Sequence, residues 1–400
     1  MLRFPDGFFW GAATAAHQIE GNNTSNDWWQ AEQTGLLPHA SESACDSWTH
    51  WRDDIQLLSD IGLNAYRLSV EWARIEPYPG RFDQVALDTY RAQLEALRQA
   101  GIEPIVTLHH FTNPRWLADQ GGWANPDVVP RFEEYAGRVA DQMHDLVRWW
   151  VTINEPSILA MKGYLEGSWP PMQPGNLRGF VRLMRHSARG HARVRHVLRR
   201  LRADAMVSMA FAMWPMQALR PWSPIDQVMA HLGDWLWQGR VIRRTLPHLD
   251  WIGVNYYSRT FVGWPWPNNT DNNAVGSGER TDFGWEIYPE GLYAVLRRLG
   301  RLSKPIVITE NGISDADDDQ RPAYIVAHLR QMHRAIQDGV DLRGYMHWSL
   351  LDNFEWAEGY EQHFGLATRQ RALRPSARLY GTIARANGVP DDVLGTFSVT

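Results

Sequence analysis

Apolar stretches alternate with amphipathic, helix-like stretches along nearly the whole chain. Eight of the apolar stretches are short, rich in valine, isoleucine and aromatic residues, and lack a regular alternation of apolar and polar positions. Such stretches are typical of parallel strands that are covered on both faces. The predicted strands are Phe8–Ala16, Asn64–Val70, Glu103–His109, Trp149–Asn154, Met206–Met213, Trp251–Tyr256, Pro305–Thr309 and Gly344–Ser349.

Three stretches between the predicted strands carry clear helix signals, with apolar residues repeating every three or four positions. Asp83 can cap one helix, which Gly101 would end. A second helix follows Pro126, and a third begins at Pro322 and ends at Gly339. Strand and helix patterns therefore alternate from one end of the chain to the other.

Eight strand–helix units in succession predict an α/β fold with a single (β/α)8 barrel, which takes in residues 1–400. No shift in composition marks a domain boundary or a linker. An open, doubly wound sheet is the structural alternative. The glycine-rich phosphate loop that such a sheet carries after its first strand is missing from the sequence, which favours the barrel.

Two strand-like segments end at a glutamate that is followed by chain-breaking residues. Glu155 precedes Pro156, and Glu310 precedes the pair Asn311–Gly312. A buried carboxylate is unfavourable unless it is paired or used in chemistry. Because barrel strands place their carboxyl ends around one opening, we expect an acid and its partner to face one cleft.

The other predicted strand ends supply hydrogen-bonding and aromatic side chains. They are His17, Gln18, Glu20, Arg67, Glu71, His109, His110, Asn154, Asn255, Tyr256, Tyr257, Asn311, His347, Trp348, Glu355 and Trp356. No serine-hydrolase or zinc-protease motif occurs. The adjacent His109 and His110 point to opposite sides of an extended segment and make a poor metal pair. Glycoside hydrolysis needs this set of groups, because it uses two carboxylates and a site that binds sugar hydroxyls.

Composition narrows the possible functions. The net charge of −5 and the pI near 6.3 argue against a nucleic-acid partner. The single cysteine, Cys45, excludes an internal disulfide and fits a small buried residue. The 21 tryptophans suit stacking on sugars, although most of them are expected in the core. No apolar run is long enough to span a membrane and Met1–Pro5 does not resemble a signal peptide, so we expect a cytoplasmic protein.

Two loops are distinctive in composition. The segment from Trp264 to Gly278 is polar and rich in turn-forming residues, which predicts a mobile surface loop. The acidic run Asp315–Asp319 is interpreted as a solvated loop rather than a metal site.

Four segments together resemble the family 1 glycoside hydrolases, the β-glucosidase and β-galactosidase group. Phe8–Gly21 is similar to the amino-terminal signature of that family, and Thr152–Pro156 to its acid/base motif. Ile308–Gly312 is similar to its nucleophile motif, and Trp348–Trp356 to its sugar-binding segment. The resemblance implies a retaining enzyme that releases terminal β-D-glucosyl residues from oligosaccharides or aryl and alkyl glycosides, without a metal or a cofactor. Fucosyl and galactosyl residues stay open as alternatives.

The resemblance also implies a role for each site residue. Glu310 would be the nucleophile, held by Arg67 and Tyr257, and Glu155 would be the general acid/base. Arg67 and Tyr257 would keep Glu310 ionised, and its charge would raise the pKa of Glu155. The substrate-binding residues would be Asn154 at the 2-hydroxyl, Gln18, His110, Glu355 and Trp356 on the 3-, 4- and 6-hydroxyl side, Trp348 below the sugar and Trp285 on the leaving-group side.

The chain departs from the family pattern in two places. His109–Thr112 stands where the family often has Tyr-His-Trp-Asp, and the stretch 214–250 looks trimmed. We therefore expect an intact sugar site with a wider, more open mouth. The segment from Trp264 to Gly278 would contradict this expectation if it closed over the cleft.

The sequence argues against two alternative functions. A 6-phospho-β-glycosidase shares the fold, but the acidic segment Glu355–Tyr360 would repel a phosphate. A non-catalytic sugar-binding relative would lack one of the two glutamates, and both are present. The identity of the sugar, the share of transglycosylation and assembly into a homo-oligomer stay open.

Overall fold

A computed structural model describes residues 1–264, 276 and 278–397. Within these residues, eight parallel strands close into a barrel in which each strand pairs with the next along the chain and the last pairs with the first. The predicted barrel is thereby confirmed. Its strands are β1 Phe9–Ala13, β2 Ala65–Ser69, β3 Glu103–Thr107, β4 Trp149–Asn154, β5 Met206–Ala212, β6 Ile252–Asn255, β7 Ile306–Asn311 and β8 Leu342–Trp348.

Helices surround the barrel. The longer ones are Ser47–Ile61, Gln84–Gln99, Val128–Met143, Leu177–Leu201, Pro224–Asp234, Pro289–Gly300, Arg321–Gln337 and Pro375–Ala386. Short helices are Ala16–Ile19, Asp27–Gln33, Trp72–Ile75, Arg115–Asp119, Pro156–Ala160, Arg240–Thr245 and Asp391–Thr396. The 3₁₀ turns are Gly122–Ala124, Leu246–His248 and Trp356–Glu358, and the π turns are Met161–Glu166 and Trp235–Gly239. Two small sheets pair Leu2–Arg3 with Gly388–Val389 and Met216–Ala218 with Thr260–Val262. None of the described helices is long and apolar enough to cross a membrane.

The predicted helix signals are confirmed. The Asp83 carboxylate accepts hydrogen bonds from the backbone N–H groups of Val85 at 2.8 Å and Ala86 at 3.1 Å, and the helix begins at the next residue after Asp83. Gly101, at φ +73°, follows the end of that helix. The other two helices begin within two residues of the predicted positions.

Apolar side chains of the strands lie on both faces of the barrel wall. One hydrophobic cluster fills the barrel interior and includes Ala65, Ile105, Val151 and Val307. A larger cluster packs the outer face of the strands against the helices. Burial on both faces explains why the strands lack alternating polar positions.

Most strand ends differ from the prediction by one to three residues, and two of these differences lie close to the site. The first strand stops at Ala13 instead of Ala16, because the chain then turns into the short helix Ala16–Ile19. The Glu20 N–H, for example, donates within this helical turn to the Ala16 carbonyl at 2.8 Å. The seventh strand runs on through Glu310, whose carbonyl accepts from the Tyr256 N–H at 2.9 Å. Glu310 therefore lies inside a strand, whereas Glu155 follows one.

The interpretation of Asp315–Asp319 as a solvated loop holds for Asp317 and Asp319, which are exposed, but it was wrong for the other two aspartates. Asp315 and Asp318 are buried, and the fully buried Arg321 forms an ion pair with Asp318. The Asp315 carboxylate accepts from the Arg321 N–H at 2.7 Å, and Asp318 accepts from the Ser376 N–H at 2.8 Å. Asp318 joins the segment to the last long helix, and Asp315 joins it to the start of the helix Arg321–Gln337. These hydrogen bonds explain why both carboxylates are buried.

The prediction for Cys45 is confirmed. It is buried, and its thiol lies 3.2 Å from the Asp352 carbonyl. The loop predicted between Trp264 and Gly278 lies outside the described residues, except for those two residues and Gly276.

Candidate active site

A cleft with a volume of about 610 Å³ opens at the carboxyl end of the barrel. It is lined by both glutamates from the strand ends, Glu155 and Glu310, and by a third carboxylate, Glu355. Aromatic side chains line much of the remaining wall: His110, Phe111, Trp169, Trp214, Tyr257, Phe283, Trp285, Trp348, Trp356 and Phe364. The two strand-ending glutamates therefore share one cleft, as the sequence predicts.

Glu310 is held by a cation and a phenol. Arg67 Nη1 lies 2.6 Å from Glu310 Oε1, and the Tyr257 hydroxyl donates to Oε2 at 2.8 Å. Arg67 is fully buried, and it is itself fixed by the Thr107 hydroxyl and the Thr309 carbonyl, both at 3.1 Å. Both carboxylate oxygens thus have a strong donor that cannot turn away.

Glu155 has a different environment. Its backbone adopts φ +42°, in the left-handed region, and its N–H donates to the Ala210 carbonyl at 2.9 Å. Its side chain accepts from Asn255 Nδ2 at 2.7 Å. Among the described residues, no cation forms an ion pair with Glu155.

A network of amides connects the two carboxylates. Asn154 Oδ1 accepts from Arg67 Nη2 at 2.6 Å and from Asn255 Nδ2 at 3.1 Å. The Thr309 hydroxyl donates to Asn255 Oδ1 at 2.6 Å. Because each amide oxygen faces a donor, the orientation of both amide groups is fixed.

The two glutamates differ in their affinity for protons. Burial raises the pKa of Glu155 to about 8, and the negative charge of Glu310 adds to the rise. Burial also raises the pKa of Glu310, but the Arg67 guanidinium and the Tyr257 hydroxyl oppose that rise. At neutral pH Glu155 is therefore mostly protonated, whereas the partners of Glu310 favour its ionised form. The sequence predicted the direction for Glu155, although burial outweighs the charge of Glu310 as its cause.

Glu355 and Gln18 meet on another side of the cleft. Gln18 Nε2 donates to Glu355 Oε2 at 3.1 Å and to the Asn353 side chain at 2.9 Å. Burial raises the pKa of Glu355 to about 8, and the charge of Glu310 contributes. Gln18 Oε1 is buried and has no hydrogen-bond partner within the described part of the chain.

His110 offers a second unsatisfied group. Its Nε2 accepts from Asn154 Nδ2 at 3.1 Å, so the hydrogen lies on Nδ1, which is buried without a described partner. A buried acceptor or donor without a hydrogen-bond partner is unfavourable, and this applies to Gln18 Oε1 and His110 Nδ1. The hydroxyl groups of a ligand are suited to satisfy both.

Flat aromatic faces flank the polar groups. The His110 ring lies 6.0 Å from each of the Trp348 and Trp356 rings and is nearly parallel to both, at 23° and 17°. On the other side, Trp285 packs 5.3 Å from Tyr257 and 4.2 Å from Phe283. Such faces suit the apolar C–H surface of a sugar ring or an aromatic substituent.

Several residues from the predicted strand ends do not reach the cleft. They pair with neighbours behind it: His17 with Glu32 at 2.9 Å, Glu20 with Arg74 at 3.0 Å, Glu71 with Thr112 at 2.9 Å, His109 with Trp123 at 3.0 Å and His347 with Tyr345 at 3.2 Å. The opposite directions predicted for His109 and His110 are confirmed. Among the described residues, no group of His, Cys, Asp and Glu side chains is arranged to hold a metal ion.

The cleft also contains residues for which no motif predicted a role. Asn255 stands at a strand end, and that position was its only signal. Trp169, Phe283 and Phe364 come from loops and from the segment after β8, where no local pattern indicates that they line the cleft. They become visible only when the barrel brings distant segments together.

Acid–base chemistry on a polyhydroxylated substrate accounts for these features together. One carboxylate is held by a cation and a phenol, and the other has a raised pKa. Polar atoms without partners and aromatic faces lie beside them at the catalytic end of a (β/α)8 barrel. The fold and the site thus define a glycoside hydrolase.

Sequence comparison identifies the family. The chain matches the model of glycosyl hydrolase family 1 over residues 1–242 and 238–389, and it belongs to that family. It is 33% identical to a 1,4-beta-D-glucan glucohydrolase of Thermotoga neapolitana, over 98% of this chain and 100% of that protein. It is 31% identical to a beta-galactosidase of Sulfolobus acidocaldarius, over 98% of this chain and 97% of that protein.

Solved structures agree with the family assignment. The beta-glycosidase from Pyrococcus horikoshii superimposes with a TM-score of 0.92 at 36% identity, over 100% of this chain and 99% of that one. The predicted resemblance is therefore confirmed. The chain is a glycosidase, and retention of configuration at the anomeric carbon is general in its family.

Proposed function

We propose that this glycosidase releases terminal, non-reducing β-D-glucosyl residues from oligosaccharides or from aryl and alkyl glycosides, with Glu310 as nucleophile and Glu155 as general acid/base. The observation that carries the proposal is the unequal environment of the two carboxylates. Glu310 accepts from Arg67 at 2.6 Å and from Tyr257 at 2.8 Å, whereas Glu155 accepts from an amide. A cation stabilises an attacking carboxylate, and its absence favours a proton donor.

In the first step, the ionised Glu310 attacks the anomeric carbon and forms a glycosyl ester. The bond from that carbon to the leaving oxygen breaks, and Glu155 gives its proton to the leaving oxygen. The raised pKa of Glu155, about 8, keeps this proton in place at neutral pH. The leaving group departs as a neutral alcohol or phenol.

In the second step, Glu155 acts as a base. The charge of Glu310 disappears when the ester forms, which removes one of the causes that raise the pKa of Glu155. Glu155 then takes a proton from water as the water oxygen attacks the anomeric carbon. Glu310 leaves as a carboxylate, and two inversions give net retention.

The remaining site residues bind the sugar. The unpaired Gln18 Oε1 and His110 Nδ1 support their assignment to the 3- and 4-hydroxyl side, together with Glu355 and Trp356. We assign Asn154 to the 2-hydroxyl, next to the nucleophile to which Arg67 ties it. Trp348 forms the floor below the ring, and Trp285 lies on the leaving-group side.

Glucose is the proposed sugar, although the relatives leave a choice. One is named a glucan glucohydrolase and another a beta-galactosidase. Gln18 and Glu355 can hydrogen-bond to either an equatorial or an axial 4-hydroxyl. Values of kcat/KM for matched aryl β-glucoside, β-fucoside and β-galactoside decide the question. The glucoside should have the highest value; a higher value for the galactoside would overturn the choice of glucose and leave the roles of the glutamates intact.

The roles of the two glutamates are tested by isosteric substitution. Glu155→Gln and Glu310→Gln keep the shape of each side chain but remove the acid and the nucleophile. Each should lower hydrolysis of an oligosaccharide by at least about 100-fold, the lower range for loss of an acid or base. Wild-type protein that binds glucosides without cleaving them would instead support a sugar-binding protein, and preference for a 6-phosphoglucoside would support a 6-phospho-β-glycosidase.

The acidic residues near the sugar site favour the unphosphorylated substrate. Glu355 lines the cleft together with Glu358. A carboxyl group offers a phosphate no cationic partner, and its ionised form repels one. The share of transglycosylation and assembly into a homo-oligomer stay open, and a cytoplasmic location stays a prediction.

A further inference from the structure

An ion pair forms part of the cleft wall near Trp285. Arg259 Nε lies 2.7 Å from Glu286 Oε2, and Arg259 Nη2 lies 2.7 Å from Oε1. Both side chains are largely buried, with 16% and 6% of their surface exposed. Two parallel hydrogen bonds to one carboxylate fix direction as well as distance, so this pair is a rigid connection between two segments.

Arg259 is fixed by further contacts. Its Nη1 donates to Gln217 Oε1 at 2.9 Å. Its guanidinium carbon lies 4.0 Å from the centre of the Tyr288 ring, a cation–π distance. The planar group is therefore held at its edge and on its face, which a lysine cannot reproduce.

Glu286 draws the segments around Trp285 together. Its Oε1 accepts from the Gly278 N–H at 3.1 Å, and its carbonyl accepts from the Ser258 hydroxyl at 2.8 Å. A Cβ atom at Gly276 or Gly278 would lie only 2.6 or 2.8 Å from the Glu286 carboxylate. The backbone thus packs tightly around this side chain.

The ion pair connects the two residues that flank the reaction centre. Tyr257, two residues before Arg259, donates to Glu310 at 2.8 Å. Trp285, directly before Glu286, packs 5.3 Å from the Tyr257 ring. The Arg259–Glu286 pair is therefore a direct connection between the segment that holds Trp285 and the segment that contacts the nucleophile.

We propose that Arg259 and Glu286 are positioning residues that hold Trp285 as a flat wall for the leaving group, and that they thereby set the preference for aromatic over small aliphatic leaving groups. The inference rests on the proposed function, because it concerns the leaving group of the same reaction. Neither residue needs to touch the substrate. The chemistry of the sugar itself should be unaffected by either.

The test compares two substrates that share the glucosyl group. kcat/KM is measured for an aryl β-glucoside and for methyl β-glucoside with wild type, Arg259→Gln, Glu286→Gln and the double variant. The aryl-to-methyl ratio should fall about fivefold in each variant, the size expected for one lost aromatic contact. The double variant should show no larger loss than the single ones, since both act through one pair. Trp285→Ala should give a similar fall.

The ratio separates positioning from general damage. Partial unfolding lowers both kcat/KM values equally and leaves their ratio unchanged. Arg98 and Glu103 form a comparable ion pair at the start of β3, at the opposite end of the barrel, so Arg98→Gln is the matched control and should leave the ratio unchanged. If the glutamine variants do not fold, Arg259→Lys and Glu286→Asp keep the charges but lose the paired geometry, and should show a smaller fall.

An unchanged ratio in all folded variants of the pair would overturn the proposal. So would a fall confined to the Arg259 variants, because it would mean that Arg259 contacts the leaving group directly. A wild type that cleaves neither glucoside would instead overturn the proposed function. The two failures are therefore distinguishable.

Discussion

At the scale of single residues, the partners of each carboxylate decide what it does. Glu310 and Glu155 are the same side chain in the same cleft, and burial raises the pKa of both. The guanidinium of Arg67 and the hydroxyl of Tyr257 favour the ionised form of Glu310. The amide of Asn255 is a weaker stabiliser of charge, so the proton stays on Glu155.

The pH dependence of the reaction follows from this difference. Glu155 must be protonated to act as acid, and with a pKa of about 8 the protonated form is present below that pH and lost above it. We expect kcat/KM for a glucoside with a poor leaving group to fall above about pH 8. It should also fall on the acid side, as Glu310 gains a proton. A pH–rate profile measures both limbs.

The residue behind the basic limb can be identified by substitution, because Glu355 has a pKa of about 8 as well. With a glucoside that has a poor leaving group, Glu355→Gln should bind more weakly but keep the basic limb. With dinitrophenyl β-glucoside, which needs no proton donor, Glu155→Gln should remain active in the first step and show no basic limb. A basic limb that persists in Glu155→Gln would contradict the assignment.

The resemblance to the family motifs predicted the residues around the nucleophile. No motif marked the residues that meet near Trp285. Arg67 and Tyr257 were predicted beside Glu310 and lie there. Arg259 and Glu286 are 27 positions apart and each resembles an ordinary surface charge in the sequence. Only the fold shows that they meet.

At the scale of secondary structure, the elements were predictable because their signals are local. Buried strands show as apolar runs, and Asp83 with Gly101 marks a helix by capping chemistry. The ends were less predictable. The first strand turns into a helix after Ala13, and Glu310 stays within its strand, because hydrogen bonds to other strands decide where pairing stops.

The helix cap at Asp83 gives a prediction at this scale. Its carboxylate accepts two backbone N–H groups at 2.8 and 3.1 Å, so Asp83→Ala should lower the free energy of unfolding by about 1 kcal/mol. Asp83→Asn keeps an acceptor and should cost less. Urea unfolding measures both, and kcat/KM should not change. Equal stability of the alanine variant and the wild type would contradict the role of the cap.

At the scale of the whole molecule, barrel closure creates the active site. Glu155, Tyr257 and Glu310 come from three different strand ends and lie at one opening because the strands are parallel and in chain order. Arg67, in the middle of a fourth strand, reaches Glu310 from there. The sequence predicted that arrangement from the repeating pattern of strands and helices. It could not predict that Asp318 would be buried, because its partners Arg321 and Ser376 meet only when the last helix docks.

The central claim is that Glu310 attacks the sugar and Glu155 transfers the proton. The most direct test is the product formed when azide replaces the missing side chain with dinitrophenyl β-glucoside as substrate. In Glu310→Ala, azide should attack the anomeric carbon once, with loss of dinitrophenolate, and give α-glucosyl azide. In Glu155→Ala, Glu310 attacks first and azide then displaces it, so the product should be β-glucosyl azide.

Proton NMR gives the anomeric configuration of each glucosyl azide, and that configuration shows which glutamate attacks the sugar. The account predicts the α product from Glu310→Ala and the β product from Glu155→Ala. The reverse pairing, or the same anomer from both variants, would contradict it.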